Sequence, residues 1–249
     1  MMNLGEWRID YQALIHGAKT IQEKRNRLGN GITDLATAMY KTRIRCPTLI
    51  DEIKYGSFWY GFDNYSWLEL KGKAPLSEAI DDRVVFVVGS SAPLQAESAK
   101  RASSWLRGLI GPTGRRFGPQ YDKGHFMARS NGGGSQLNIF PQRRDLNRAW
   151  SNEGKLFRQM ETYCHHHPKT LCFSRPIYLQ EALRPDAFDF GLLKQGGELW
   201  VAQFDKQEIP EDGGMFQNRI PKGKELNAWR DALRRAGADS KGEAVADHG

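Results

Sequence analysis

From Tyr121 to Cys164 the chain is patterned as strand, glycine loop, strand, helix, and this order constrains its fold more than any other stretch. Tyr121 to Phe126 predicts a first strand. Ser130 to Ser135, with three consecutive glycines, predicts a crossing loop, and Leu137 to Phe140 a second strand. Asp145 is placed to cap a helix running to about Cys164. Along that helix Leu146, Trp150, Phe157, Met160 and Cys164 form an apolar stripe at i, i+3/i+4 spacing. Glu153 falls on the same stripe, where a carboxylate is costly unless it has a partner.

The flanking segments predict a mixed architecture. Residues 1 to 45 are expected to be mostly helical, with Leu4, Trp7, Tyr11, Leu14 and Ile15 at helical spacing. Leu28-Gly29-Asn30-Gly31 predicts a break, and Ile32 to Tyr40 a second helix. Tyr55 to Leu70 is rich in aromatics: Phe58, Trp59, Tyr60, Phe62, Tyr65 and Trp67. Such a cluster can stack bases. With no arginines interleaved, a core or an interface is the stronger expectation. Val84 to Val88, closed by Gly89, predicts a buried strand, and Gln95 to Leu109 a helix. Gly111-Pro112-Thr113-Gly114 and Gly118-Pro119 predict loops that flank Arg115 and Arg116. Leu171 to Ser174 and Ile177-Tyr178 predict one strand interrupted by Pro176. Phe188 to Leu193 and Glu198 to Phe204 predict a hairpin joined at Gly196-Gly197. Asn227 to Arg235 predicts a helix, and Ala236 to Gly249 is too polar to order itself. The expected organisation is an N-terminal helical and aromatic-rich region over 1–80, a domain over 81–205 and a polar segment over 206–249.

The chain carries a net charge of +7, and its distribution matters more than its size. Ten cations lie between Lys100 and Arg148: Lys100, Arg101, Arg107, Arg115, Arg116, Lys123, Arg129, Arg143, Arg144 and Arg148. Only Asp122 and Asp145 oppose them. The basic excess therefore sits on the strand–loop–strand–helix segment, which suits a polyanion such as nucleic acid; a solvated basic surface is the alternative. No run of eighteen apolar residues occurs, so no membrane-spanning helix is expected. Glu6, Arg8 and Asp10 interrupt the N-terminus, so no Sec signal is expected and synthesis is expected in the cytoplasm. Three cysteines, Cys46, Cys164 and Cys172, predict no disulfide framework. Cys164-His165-His166-His167 with Cys172 offers zinc-type ligands, against the plainer expectation of a polar helix end.

Asp122-Lys123-Gly124-His125 resembles the Asp-Arg-Gly-His motif of the DNA/RNA non-specific endonucleases, which are ββα-metal (His-Me finger) nucleases. The likeness continues through Asn138-Ile139-Phe140-Pro141-Gln142 and Leu146-Asn147-Arg148-Ala149-Trp150 in the family's order and spacing. It covers residues 80 to 205 at most and is strongest from 121 to about 161. The resemblance implies an α+β fold with a ββα-metal core and, in this chain, a mostly helical N-terminal extension.

By this resemblance His125 is the general base, and imidazole has a suitable pKa for taking a proton from attacking water. Asn147 is implied as the single protein ligand of Mg2+ or Mn2+, its amide oxygen being a hard donor. An acidic residue farther down the helix is also implied. Glu153 is the nearest candidate, although its distance from Trp150 differs by one residue from some members; a salt bridge at the helix edge is the alternative. Lys123 stands where the family usually has arginine, which keeps the charge and loses the bidentate fork. Arg129, Arg143, Arg144 and Arg148, with Arg115 and Arg116 in the preceding loop, are candidate phosphate contacts. The expected activity is metal-dependent hydrolysis of DNA and/or RNA without sugar specificity. A nuclease this broad would harm its maker, so the expected setting is an exported antibacterial toxin or effector with an immunity protein. Two other classes remain: a nucleic-acid-binding protein with an inactive site, and a zinc-structured interaction module built on Cys164 to Cys172.

Overall fold

The computed structural model describes residues 4–43, 50–63, 83–93, 118–133, 138–179 and 184–204. The expected helices over 95–109 and 227–235, and everything beyond 204, lie outside the described residues, as do Arg115, Arg116, Cys46, Tyr65 and Trp67. Within them the fold is α+β. Six antiparallel strands form the main sheet: β1 (Ile50–Tyr55), β2 (Phe58–Asp63), β3 (Arg83–Ser90), β6 (Leu171–Ile177), β7 (Ala187–Leu193) and β8 (Leu199–Phe204), in the order β1-β2-β3-β6-β7-β8. β4 (Tyr121–His125) and β5 (Ile139–Arg143) form a separate two-stranded sheet. The helices are α1 (Tyr11–Ile15), α2 (Ile21–Arg43), α3 (Arg144–Asn147) and α4 (Asn152–His166).

The main sheet is covered on both faces, so β6 and β7 are buried at every position instead of alternating, and their polar residues Ser174, Arg175 and Asp189 are buried with the rest. One face carries Phe58, Tyr60, Phe188, Phe190 and Phe204 and packs against Phe126, Phe140, Phe157, Met160 and Cys164 of the β4-β5-α4 unit. The other carries Val85, Phe86, Phe173 and Leu199 and packs against Trp7, Tyr11, Leu28, Ile32 and Tyr40 of the N-terminal helices. A bulge opposite Gly61/Phe62 changes which residues of β3 face which side. Val84 therefore shares a face with Val87, an odd spacing of three.

Several expectations change. α2 runs unbroken through Leu28-Gly29-Asn30-Gly31. Burial of Leu28, Ile32, Ala36 and Tyr40 at i+4 intervals outweighs the roughly 1 kcal/mol that each mid-helix glycine costs. Leu4–Trp7 is a 3-10 turn, and Asp10 caps α1 by accepting from the Gln12 and Ala13 amides. β6 continues through Pro176, because pairing with β3 reaches only Ser174 and the proline is paired on one side alone. The aromatic segment contributes core residues Phe58, Tyr60 and Phe62, while Trp59 is exposed. β1 and β2 belong to the same sheet as β3, so the sheet runs across the expected division near residue 80.

Two buried ion pairs brace the main sheet, and one of them also joins it to the N-terminal helices. Arg175 donates to Asp189 at 2.6 Å through Nη2 and to the Tyr11 hydroxyl at 2.9 Å through Nε. Tyr11 in turn donates to Asp189 at 2.6 Å, which ties α1 to the sheet. Arg83 pairs with Asp63 at 2.8 Å and lies over the Tyr178 ring. None of the described helices is long and apolar enough to cross a membrane.

Candidate active site

The two strands and the helical segment of the expected unit are present with shifted boundaries, while residues 134–137, which include the end of the expected loop and Leu137, lie outside the described residues. β4 pairs antiparallel with β5 in the register Asp122↔Gln142, Gly124↔Phe140 and His125↔Ile139. The hairpin is held tightly at its His125 end. The Asn138 side chain accepts from the Met127 amide at 2.8 Å and donates back to the Met127 carbonyl, while its own carbonyl accepts from the Phe126 amide. This clasp fixes the chain immediately after His125. Gly124 is required sterically: a Cβ there would lie 2.2 Å from Oε1 of Gln142, whose side chain lies across it. Gln142 is fully buried, and neither of its amide atoms has a hydrogen-bond partner.

The expected continuous helix from Asp145 is instead two helices. Arg143, not Asp145, is the N-cap residue of α3, and Ser151 caps α4 by accepting from the Gly154 amide at 3.0 Å. Between them Ala149 adopts a left-handed φ of 58°, and the Asp145 carbonyl accepts from the Trp150 amide at 2.8 Å. The break is imposed by packing at Gly154, where a Cβ would come within 2.6 Å of the Asp145 carbonyl oxygen. As a result Trp150 leaves the apolar stripe: it is 63% exposed, whereas Leu146, Phe157, Met160 and Cys164 are buried.

His125 is partly exposed and makes no hydrogen bond to another described residue. Burial in an apolar setting, with the Arg129 charge adding to it, lowers its pKa to about 4. The imidazole is therefore neutral near pH 7. Asn147 lies against Asp122, to which its side chain hydrogen-bonds. Arg144 reaches Asp122 at 3.2 Å and Arg148 at 2.6 Å. Hydrogen bonds from Arg148, Arg144 and Asn147 outweigh desolvation and hold the Asp122 carboxyl below its ordinary range. No hydrogen bond links His125 to Asn147. Pleat alternation assigns Lys123 and His125 to one face of β4, and Asp122 and Gly124 to the other.

Of the arginines expected to contact phosphate, Arg143, Arg144 and Arg148 are therefore already engaged. Arg144 and Arg148 share Asp122, and Arg143 pairs with Asp145 at 2.6 Å and with Glu153 at 3.2 Å. Glu153 is accordingly a partly exposed salt-bridge residue at the helix edge and not a member of the buried stripe. Arg129, with Lys123, has interactions of its own.

The buried acid of α4 is Glu161, which the sequence reading passed over. Burial pushes its carboxyl up to about 7, against the lowering effect of Arg158. Arg158 connects it to the site, donating to the Asn147 carbonyl at 3.0 Å and lying 3.7 Å from the Glu161 carboxylate. Its position was detectable: Glu161 falls four residues after Phe157 on the buried face. Asn131 in the crossing loop donates to the Glu161 carbonyl at 3.1 Å.

The histidine run does not converge with the cysteines. Cys164 and Cys172 are buried in the core, with the Cys172 thiol 3.6 Å from Met127 Sδ. His165 and His166 are exposed, and His167 Nδ1 contacts the Tyr163 carbonyl oxygen. Among the described residues no group of three or more His, Cys, Asp or Glu side chains could hold a metal. Comparison of the chain with protein-family models and with curated proteins finds no match.

Proposed function

We propose that the protein is a metal-dependent endonuclease that hydrolyses phosphodiester bonds in DNA and/or RNA without sugar specificity, built on a ββα-metal core. The observation that carries this is the gathering of Asn147, Arg144 and Arg148 on Asp122 of β4, with His125 ending the same strand on its other face. The resemblance of the three motif blocks to the DNA/RNA non-specific endonucleases supports the same assignment.

The donor set fits a hard divalent cation. Asp122 accepts from the Asn147 carboxamide nitrogen, which leaves the amide oxygen as a hard neutral donor beside a carboxylate. Asn147 would hold Mg2+ or Mn2+, with water filling the remaining positions. The ion supplies charge stabilisation at the phosphorus and at the leaving oxygen. His125, neutral and without a hydrogen-bond partner among the described residues, accepts the proton of the attacking water at a ring nitrogen. Asp122 holds Arg144 and Arg148 in fixed positions, where their remaining N–H groups can meet phosphate oxygens. Lys123 adds a point charge, and desolvation, with Arg129 adding to it, keeps the imidazole neutral. Glu153 anchors Arg143, and Glu161 acts on Asn147 through Arg158.

The deciding experiment incubates purified protein with plasmid DNA and with RNA, each with and without Mg2+. Degradation that EDTA abolishes and Mg2+ or Mn2+ restores is expected. Binding without cleavage would select instead a nucleic-acid-binding protein with an inactive site. The proposed setting is an exported antibacterial toxin or effector restrained in its producer by an immunity protein.

A further inference from the structure

Resting on the nuclease function proposed above, we infer that Trp150 and Arg148 form a base-stacking subsite that grips an unpaired nucleobase beside the phosphodiester to be cut. Trp150 is the most exposed of the large apolar residues among those described, at 63%. Exposing an indole is unfavourable, and here two further features enforce it. Ala149 is held in the left-handed region at φ 58°, a strained conformation for alanine. The Trp150 amide donates to the Asp145 carbonyl at 2.8 Å, which fixes the backbone of the turn that carries the exposed ring.

The indole is also electronically prepared. The Arg148 guanidinium lies over it, 5.1 Å from the ring centroid. The same guanidinium is anchored to Asp122 at 2.6 Å, and Asp122 is hydrogen-bonded by Asn147. Trp150 is therefore attached by a short, rigid chain of contacts to the proposed metal ligand. An anchored cation covers one side of the ring, and the exposed remainder is open to a planar ligand.

A nucleobase matches this chemistry better than other planar groups. The described residues 118–133 and 138–166 hold seven Lys or Arg against four Asp or Glu, so the surroundings favour a polyanion. Stacking needs no hydrogen-bond code, because every base offers a π-face. The subsite would add affinity without sequence preference. It favours unpaired bases, since a base within a duplex is already stacked.

The test uses the full-length chain carrying His125→Ala, in EDTA, so that cleavage does not enter. Two fluorescein-labelled strands of equal length are compared by anisotropy: a single-stranded oligonucleotide, and the same sugar-phosphate chain made abasic. The parent is expected to bind the base-bearing strand about tenfold more tightly, the scale of one stacked base. Trp150→Ala should bind the two strands alike. Trp150→Phe, which retains a π-face, should recover most of the difference. Salt dependence should be equal in all three, because phosphate contacts are unchanged. Equal binding of both strands by the parent overturns the inference, as does a Trp150→Ala protein that keeps the full preference or loses affinity for both strands equally. Plasmid cleavage by the protein with His125 intact, measured in parallel, tests the nuclease function itself. A base preference that depends on Trp150 without cleavage would remove the nuclease reading and leave the subsite.

Discussion

His125 is neutral at physiological pH because desolvation disfavours its charged form and the Arg129 charge adds to this. A general base must be unprotonated, so cleavage should persist below pH 6.5, and its acid limb should lie toward pH 4. An acid limb centred at 6.5 or above would contradict this environment. The sign for stability is the same. The folded pKa lies below the reference value of about 6.5, so this contribution is complete above that pH and is lost as pH falls toward about 4. His125→Ala should lower the cleavage rate by roughly a hundred- to ten-thousandfold while nucleic-acid binding largely survives. Equal losses in cleavage and binding would make His125 structural. Asn147→Ala should lower the rate by on the order of a hundredfold or more, and wild-type cleavage by that variant would refute the metal-ligand role.

At the scale of elements, the hairpin depends on a single clasp. Asn138→Ala removes both side-chain bonds to Met127 and strands buried backbone groups. At about 1–3 kcal/mol for each of the two unsatisfied groups, the loss should be on the order of 2–6 kcal/mol in urea unfolding, with cleavage reduced because His125 is no longer held. A variant as stable and active as the parent would show that the crossing loop supports itself. α4 carries the opposite pH signature. The Glu161 carboxyl is raised to about 7, so its contribution is complete below the ordinary carboxylate range and is lost as pH rises through 7. Glu161→Gln should therefore be relatively more stable than the parent at pH 8 than at pH 5. The same stability difference at both pH values would mean that Glu161 remains charged in the fold.

At the scale of the whole molecule, the buried Arg175 holds three parts together: the 3-10 turn through the Trp7 carbonyl, α1 through Tyr11, and β7 through Asp189. Arg175→Met would leave Asp189 buried without its ion pair and should cost about 3–5 kcal/mol, measured by denaturant unfolding. A neutral effect would mean that water enters the layer. The sequence by itself determined the parts set by local pattern. Strand-like runs bounded by glycine turns specified the β4-β5 and β7-β8 hairpins, and the apolar run specified β3. Charge clustering marked residues 100–148, and the motif blocks marked His125 and Asn147. Tertiary structure decided the rest, because each remaining outcome depends on a distant partner. Burial against the sheet kept α2 continuous across two glycines. Close packing at Gly154 split the expected helix and turned Trp150 outward. Asp122, Asp145 and Glu153 took up arginines that a linear reading leaves unassigned. Whether a buried acid such as Glu161 is tolerated depends on the residues folded around it, which helical spacing alone does not specify.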